Sequence, residues 1–266
     1  MTGELIWLST LTRADLQYGV SMASSAATVN PTECIQRCKV LLRYLRGTMN
    51  FCLTMRPFNE LDYKLAENCE EVQEGLVRRG LVDGRIEAPT DFDLVLNAFA
   101  DASFAPGGKK SHGCQLAFLG SSLVYWKSSR QTLVAESSCE SELISQADMS
   151  HVSMSIRDLL QDMTIYAMVN QFGDNRASLL QVAGAKSWRS RHFAVRGCAL
   201  RHRVSMGELI LSHCPGTTMP ADGGTKPLSQ EDHKKSIEMM NMDPSRPRWH
   251  LEFSDPIYEN EVWTNE

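Results

Sequence analysis

Asp101, Glu142, Asp174 and Asp222 are acids far apart in the chain, each placed where a strand or turn meets a helix. Their surroundings read separately: Phe99-Ala-Asp101-Ala-Ser, Ser137-Ser-Cys-Glu-Ser-Glu142, Gly173-Asp174-Asn-Arg-Ala and Pro220-Ala-Asp222-Gly-Gly-Thr-Lys. Carboxylates without an accompanying His or thiolate cluster are an oxygen-only ligand set, which suits hard cations such as magnesium or manganese. Brought together, they raise one another's pKa, so a cluster calls for a metal or a proton. Two ions held in such a set can activate a water and stabilise a leaving oxygen on phosphorus.

Each acid also has a plainer use. Asp101 could be a solvated carboxylate at a strand end, Asp174 an N-cap, and Asp222 a loop or cap residue. Glu140 competes with Glu142, but Glu140 sits at the capping-box position after Ser137, which leaves Glu142 for the site. Lys109, Lys110, Lys127 and Arg130 are candidate phosphate contacts, with ordinary surface charge as the alternative. The acid-free stretch from Lys186 to Arg203, with Arg189 and Arg191, is a second candidate track. His192, His202 and His213 could supply a proton shuttle. His213 and Cys214 with Cys198 and His202 have zinc-ligand types, but their spacing matches no zinc pattern.

The elements that must position these acids begin at Leu94. Leu94 to Ala100 reads as a strand with Asp101 at its end, followed by strands Gly113 to Leu119 and Leu123 to Lys127 around the turn Gly120-Ser121-Ser122. A helix follows from Ser137, with a buried stripe running from Leu143 to Met163 and a possible break near Ser150. A fourth strand is expected at Thr164 to Val169 and a helix at Asn175 to Val182. Beyond these come a basic helical piece at Ser190 to Val204 and a fifth strand at Glu208 to Cys214. The order predicts a mixed α/β domain at 94–230: five strands with helices on their faces. Residues 1–57 read as helical, with Asn30-Pro31-Thr32-Glu33 as a helix start and Gly47 as a stop. An acidic connector is expected at 58–93 and a poorly packed tail at 231–266.

Composition narrows the class. A chain of 266 residues with 42% hydrophobic and 22% charged residues is an ordinary globular sequence with room for a sizeable core. No apolar run reaches the ~20 residues of a membrane span. The start lacks a secretory pattern, and the eight scattered cysteines read as reduced thiols, so an intracellular setting, cytoplasmic or nuclear, is expected. The net charge of −5 argues weakly against general nucleic-acid binding, whereas the local basic stretch argues for it.

The blocks Ala98-Phe-Ala-Asp-Ala-Ser, Val124-Tyr-Trp-Lys-Ser-Ser-Arg-Gln-Thr-Leu-Val-Ala-Glu-Ser-Ser-Cys-Glu-Ser-Glu-Leu-Ile, Asp174-Asn-Arg-Ala and Ala221-Asp-Gly-Gly-Thr-Lys-Pro-Leu resemble the ribonuclease H region of copia-type LTR-retrotransposon Pol polyproteins. Leu11-Thr-Arg-Ala-Asp15 and Leu42-Arg-Tyr-Leu-Arg-Gly-Thr48 resemble the end of the reverse transcriptase region of the same polyproteins. The resemblance implies a ribonuclease H-like fold, with Asp101, Glu142, Asp174 and Asp222 as ligands for two magnesium or manganese ions. It also implies an RNA–DNA hybrid as substrate, with the RNA strand hydrolysed, and the remainder of a Pol polyprotein as partner. The chain departs from the family at Gly223-Gly224, where an aliphatic pair is usual, and at Val195-Arg-Gly-Cys-Ala-Leu. The glycines add backbone freedom beside Asp222. These departures keep open an inert nucleic-acid-binding remnant. A third reading, an integrase-type transferase, would use Glu208 as its late acid. No adjacent Asp pair is present, so a polymerase active site is absent from this stretch.

Overall fold

The computed structural model describes residues 1–55, 93–106, 108, 110–182 and 194–242. Nearly all of the expected acidic connector, the segment 243–266, and Lys109, Arg189 and Arg191 lie outside the described residues.

Strands β1 (Leu94–Ser103), β2 (His112–Leu119) and β3 (Ser122–Arg130) form an antiparallel meander, and Gly120 supplies the positive φ of +57° that the β2–β3 turn requires. Strands β4 (Ala167–Gly173) and β5 (Ile210–His213) then add in parallel, giving the order β3-β2-β1-β4-β5. This is the mixed five-stranded sheet expected, with its first strand at the centre. Several strand boundaries differ from expectation, and those of β1 and β4 have clear physical reasons. β1 runs on through Asp101 to Ser103, because the pairing with β2 continues to Ser103 opposite His112. β4 starts later than Thr164, because Thr164 takes a φ of +62° and completes the turn that closes the preceding helix.

The alternation of side chains along each strand separates two apolar cores. On one face lie Leu96, Ala98, Ala100, Val169 and Leu211, covered by the long helix α1 (Ser138–Asp162), by α2 (Arg176–Val182) and by α3 (Ala194–Ser205). Ser137 caps α1 by accepting from the Glu140 N–H at 3.1 Å, while the Glu140 carboxylate accepts from the Glu136 N–H at 2.7 Å. No break occurs at Ser150, whose hydroxyl folds back onto the Ala147 carbonyl within an intact helix.

The other face carries Phe99, Phe118 and Phe172. It is covered by short 3-10 turns at Gly216–Thr218 and Pro220–Gly224 and by helix α4 (Gln230–Met239). This corrects the expectation of a poorly packed tail at 231–266 as far as residue 242. Ser229 caps α4 through the Asp232 N–H, and Ile237, Met240 and Met242 are buried against the sheet. The polar surface of α4 hid a stripe only two or three residues wide.

The N-terminal segment holds three helices, αA (Thr2–Leu11), αB (Gln17–Ala26) and αC (Pro31–Gly47), around Leu5, Leu16, Val20, Ala23 and Cys38. Asn30 caps αC as expected, accepting from the Glu33 N–H. Ala14, Phe51 and Leu53 join the second core of the sheet, and the Trp126 indole donates to the Ser9 carbonyl at 2.6 Å. No described helix is long and apolar enough to cross a membrane.

Candidate metal centre

The pairing of β1 with β4 ends at Phe99 and Phe172, and beyond that point the two strands part. Gln146 of α1 fits into the opening: its side-chain amide donates to the Ala100 carbonyl at 3.1 Å and to the Phe172 carbonyl at 3.0 Å. Gly173 is required there, because a Cβ would stand 2.2 Å from the Gln146 amide nitrogen. Ser145, the preceding residue, donates to the Asp101 carbonyl at 2.9 Å. Three successive features of the first turns of α1, Glu142, Ser145 and Gln146, thus meet the ends of β1 and β4.

The result is a cluster. Asp101 from β1, Glu142 from α1 and Asp174 from the end of β4 each offer a carboxylate oxygen, and these oxygens lie within 4.8 Å of one another. Among the described residues this is the group of acids, histidines and cysteines suited to sharing an ion; His213, Cys214, Cys198 and His202 form no such group. Asp101 is only 4% exposed and Glu142 6%, whereas Asp174 is half-buried. Asp174 is free of the capping role: the Asn175 side chain accepts from the Ser178 N–H at 3.1 Å and starts α2. Glu140 is likewise engaged at the cap of α1, which leaves Glu142 facing the acids.

Asp222 stands apart from the three. It lies in the turn Pro220–Gly224 and pairs with Lys226 at 2.6 Å, near enough for its charge to act on Asp101 and Asp174. The neighbouring Thr225 donates its hydroxyl to Asp101 Oδ2 at 2.5 Å and ties that turn to the centre. Gly223 and Gly224 do not loosen it. A Cβ on Gly224 would stand 2.3 Å from the Cys114 sulfur, and one on Gly223 would stand 2.1 Å from the Ser236 hydroxyl. The Gly224 carbonyl accepts from Ser128 at 2.5 Å, and Ser128 in turn meets His112 Nε2 at 2.9 Å.

The electrostatics are those of buried carboxylates that repel one another, with the Lys226 charge opposing the shifts of Asp101 and Asp174. Burial first, then the charges of Asp101 and Asp174, push Glu142 up to about 10. Burial also raises Asp101, to about 6, with Asp174 and Asp222 adding and the Thr225 hydrogen bond opposing. Asp174 is raised by burial and by Asp222. Glu142 Oε2 is buried with no hydrogen-bond partner. An orphaned oxygen among three mutually close carboxylates fits a divalent cation, which would supply the missing positive charge.

Thr225, Ser145 and Gln146 were not singled out by sequence reasoning. Their signal was available for the two helical residues, as polar side chains on a stripe otherwise filled by Leu143, Ile144 and Ala147. Among the basic candidates, Lys127 and Arg130 are exposed on β3, two strands from Asp101, on either side of the Ser128 that closes the register row Asp101–Cys114–Ser128. Lys110 reaches the Thr132 carbonyl at 2.8 Å. Two members of the acid-free stretch have structural partners: Arg201 donates to the Val182 carbonyl and Arg203 to the Ser150 hydroxyl. Glu208 precedes β5 at the end remote from Asp174, with about 10 Å of strand between.

No protein-family model matches the chain. It is 27% identical over 254 residues to the retrovirus-related Pol polyprotein from transposon RE1 of Arabidopsis thaliana. It is 25% identical over 253 residues to that from transposon RE2 of the same plant. Each match takes in 92% of this chain, and the chain spans about 15% of the length of these curated relatives. Among solved structures it is similar to RNase H1 from Halobacterium salinarum NRC-1, at 13% identity and a TM-score of 0.37 over 49% of this chain and 94% of that one. It is similar also to the Mos1 transposase catalytic domain, at 12% identity and a TM-score of 0.27 over 69% of this chain and 83% of that one. The chain is distantly homologous to retrotransposon Pol polyproteins.

Proposed function

We propose that this chain hydrolyses the RNA strand of RNA–DNA hybrids as part of a retrotransposon Pol polyprotein. Asp101, Glu142, Asp174 and Asp222 would hold two magnesium or manganese ions. The observation that carries the proposal is the buried carboxylate cluster with its orphaned Glu142 oxygen. Bound there, hard divalent ions supply an activated water and charge stabilisation for a leaving oxygen on phosphorus.

The protein's own groups have distinct tasks. Asp101 is held through its backbone by Ser145 and through its side chain by Thr225. Glu142 and Asp174 approach it from a helix and a strand end, so the ligand set is preorganised by the sheet. Asp222, more exposed and paired with Lys226, would join the set once that pair parts. Lys127 and Arg130 would take phosphates of a duplex lying across the β3 side. Discrimination for RNA would come from 2′-hydroxyls presented by a wide, shallow minor groove.

The test is cleavage of a labelled hybrid with magnesium or manganese by wild type, Asp101→Asn and Glu142→Gln. Metal-dependent cutting by wild type, lost by ~100-fold or more in both variants, is expected. Well-folded wild type that binds hybrid in excess chelator but never cuts on return of metal would establish the inert remnant instead. Glu208 precedes β5 at the end remote from Asp174, which argues against the integrase-type reading.

A further inference from the structure

We propose that the face of the sheet opposite α1 carries a separate binding site for an uncharged, flat heteroaromatic ring with adjacent hydrogen-bond donor and acceptor, such as a purine base. The site is a cavity of about 540 Å³ between the sheet and the 216–224 turns. That volume lies within the range of small-molecule sites.

Its construction indicates what it holds. Phe99 and Phe172 stack at 4.8 Å between ring centres and 13° between planes, and Phe118 meets Phe99 edge-on at 5.6 Å. These three rings line the cavity, an arrangement that favours a planar, polarisable guest. Asn97 lies in the same apolar wall, 1% exposed, with neither its amide oxygen nor its amide nitrogen hydrogen-bonded. A buried primary amide with both ends unpaired is costly in a native protein and calls for a partner. Its strand neighbour Asn170 does not remove the need. Asn170 accepts from Ser212 and has an unpaired nitrogen of its own, and even a rotation that joined the two amides reciprocally would leave Asn97 one N–H and one lone pair for a guest.

A primary amide offers one donor and one acceptor side by side, the pattern that pairs with the N6 and N7 edge of adenine. No Asp, Glu, Lys or Arg lines the cavity among the described residues, which argues against a phosphate or a carboxylate. The wall nearest the carboxylate cluster is His213, whose Nε2 contacts the Asp174 carbonyl at 3.0 Å. The cavity is nonetheless distinct from that cluster and shares no acid with it.

The base could be free or an unstacked base of a strand, and the test separates the two. Adenosine and a short single-stranded oligonucleotide rich in adenine are titrated in excess EDTA, with the protein's own signals observed by NMR. The chelator removes the metal centre, so the outcome does not depend on nuclease activity. Saturable adenosine binding is expected, weakened at least tenfold in Asn97→Leu and at least tenfold for N6,N6-dimethyladenosine. The folding midpoint of Asn97→Leu should not fall, since the variant removes an unpaired amide. Thr218→Trp, at the exposed rim, should block binding while leaving the amide in place. Binding of both probes points to a strand-borne base, and binding of adenosine alone points to a free nucleoside. No saturation at millimolar adenosine, or equal binding by wild type and Asn97→Leu, overturns the proposal.

Discussion

Replacing Glu142 by Gln should stabilise the metal-free protein while destroying its affinity for metal. Glu142 holds its proton up to about 10, against an ordinary value of 4.5, chiefly because burial disfavours its charge. In the unfolded chain the same group ionises at its ordinary value. Between those two limits the native state carries a proton that the unfolded state has released, so stability falls as pH rises. The slope for one group is about 1.4 kcal/mol per pH unit. From 4.5 to neutral pH, the metal-free protein therefore loses about 3 kcal/mol through Glu142. Gln has the same shape and no proton to lose, so the variant should recover most of that amount. Urea unfolding of both proteins in EDTA at pH values above about 7, where Asp101 is largely ionised, reads the effect of Glu142 as the difference between their slopes. Added magnesium should reverse the order. Wild type gains about 2.7 kcal/mol at one hundred times its dissociation constant, with uptake of metal releasing a proton, and the variant gains little. Equal pH slopes for the two proteins would refute the assignment of the buried proton to Glu142. Equal stabilisation by magnesium would refute its role as a ligand.

Three further outcomes follow from the same contacts. Thr225→Val removes the hydrogen bond that holds the Asp101 pKa down, so the acid limb of the cleavage pH profile should move to higher pH. Gly224→Ala places a Cβ against the buried Cys114 and should cost about 1–3 kcal/mol by thermal unfolding. Cys114→Ala in the same chain should recover part of that loss, and full independence of the two changes would contradict the packing. Trp126→Phe leaves the Ser9 carbonyl without its indole donor and should cost about 1–3 kcal/mol in urea unfolding. An unchanged midpoint would show that the N-terminal helices are not held to β3 through this bond.

The sheet was legible because its strands differ in period and punctuation from what surrounds them. Leu94 to Ala100 is a run buried on both faces and apolar but for Asn97, and Gly120 supplies the positive φ of the turn that follows β2. Boundaries were less legible where a decision rests on tertiary pairing. Asp101 continues β1 only because Cys114 lies opposite it, and no local feature of Ala102 or Ser103 announces that. Helix α4 was missed for a related reason. Its charged residues, Glu231, Asp232, Lys234 and Lys235, dominate the composition, whereas Ile237 and the following Met240 and Met242 bind it to the core. Mean polarity is a poor guide to a helix that buries one narrow stripe.

The candidate site shows the same division between local chemistry and what a chain meets in space. Glu140 could be separated from Glu142 because helix capping is a short-range rule, and the structure has Glu140 at the cap. Asn175 could not be separated from Asp174 in that way, since either residue is a competent cap and only the folded turn decides. Gly223 and Gly224 are the sharper case. Read locally, two glycines after Asp222 mean added backbone entropy and a loosened ligand. In the folded protein they are the residues that let this turn lie against Cys114 and Ser236, with the Gly224 carbonyl taken by Ser128 and Thr225 reaching Asp101. An aliphatic pair would need a different neighbour at position 114 and another at 236. The departure is therefore matched by its surroundings, and backbone freedom beside Asp222 is no longer a reason to expect a loosened ligand.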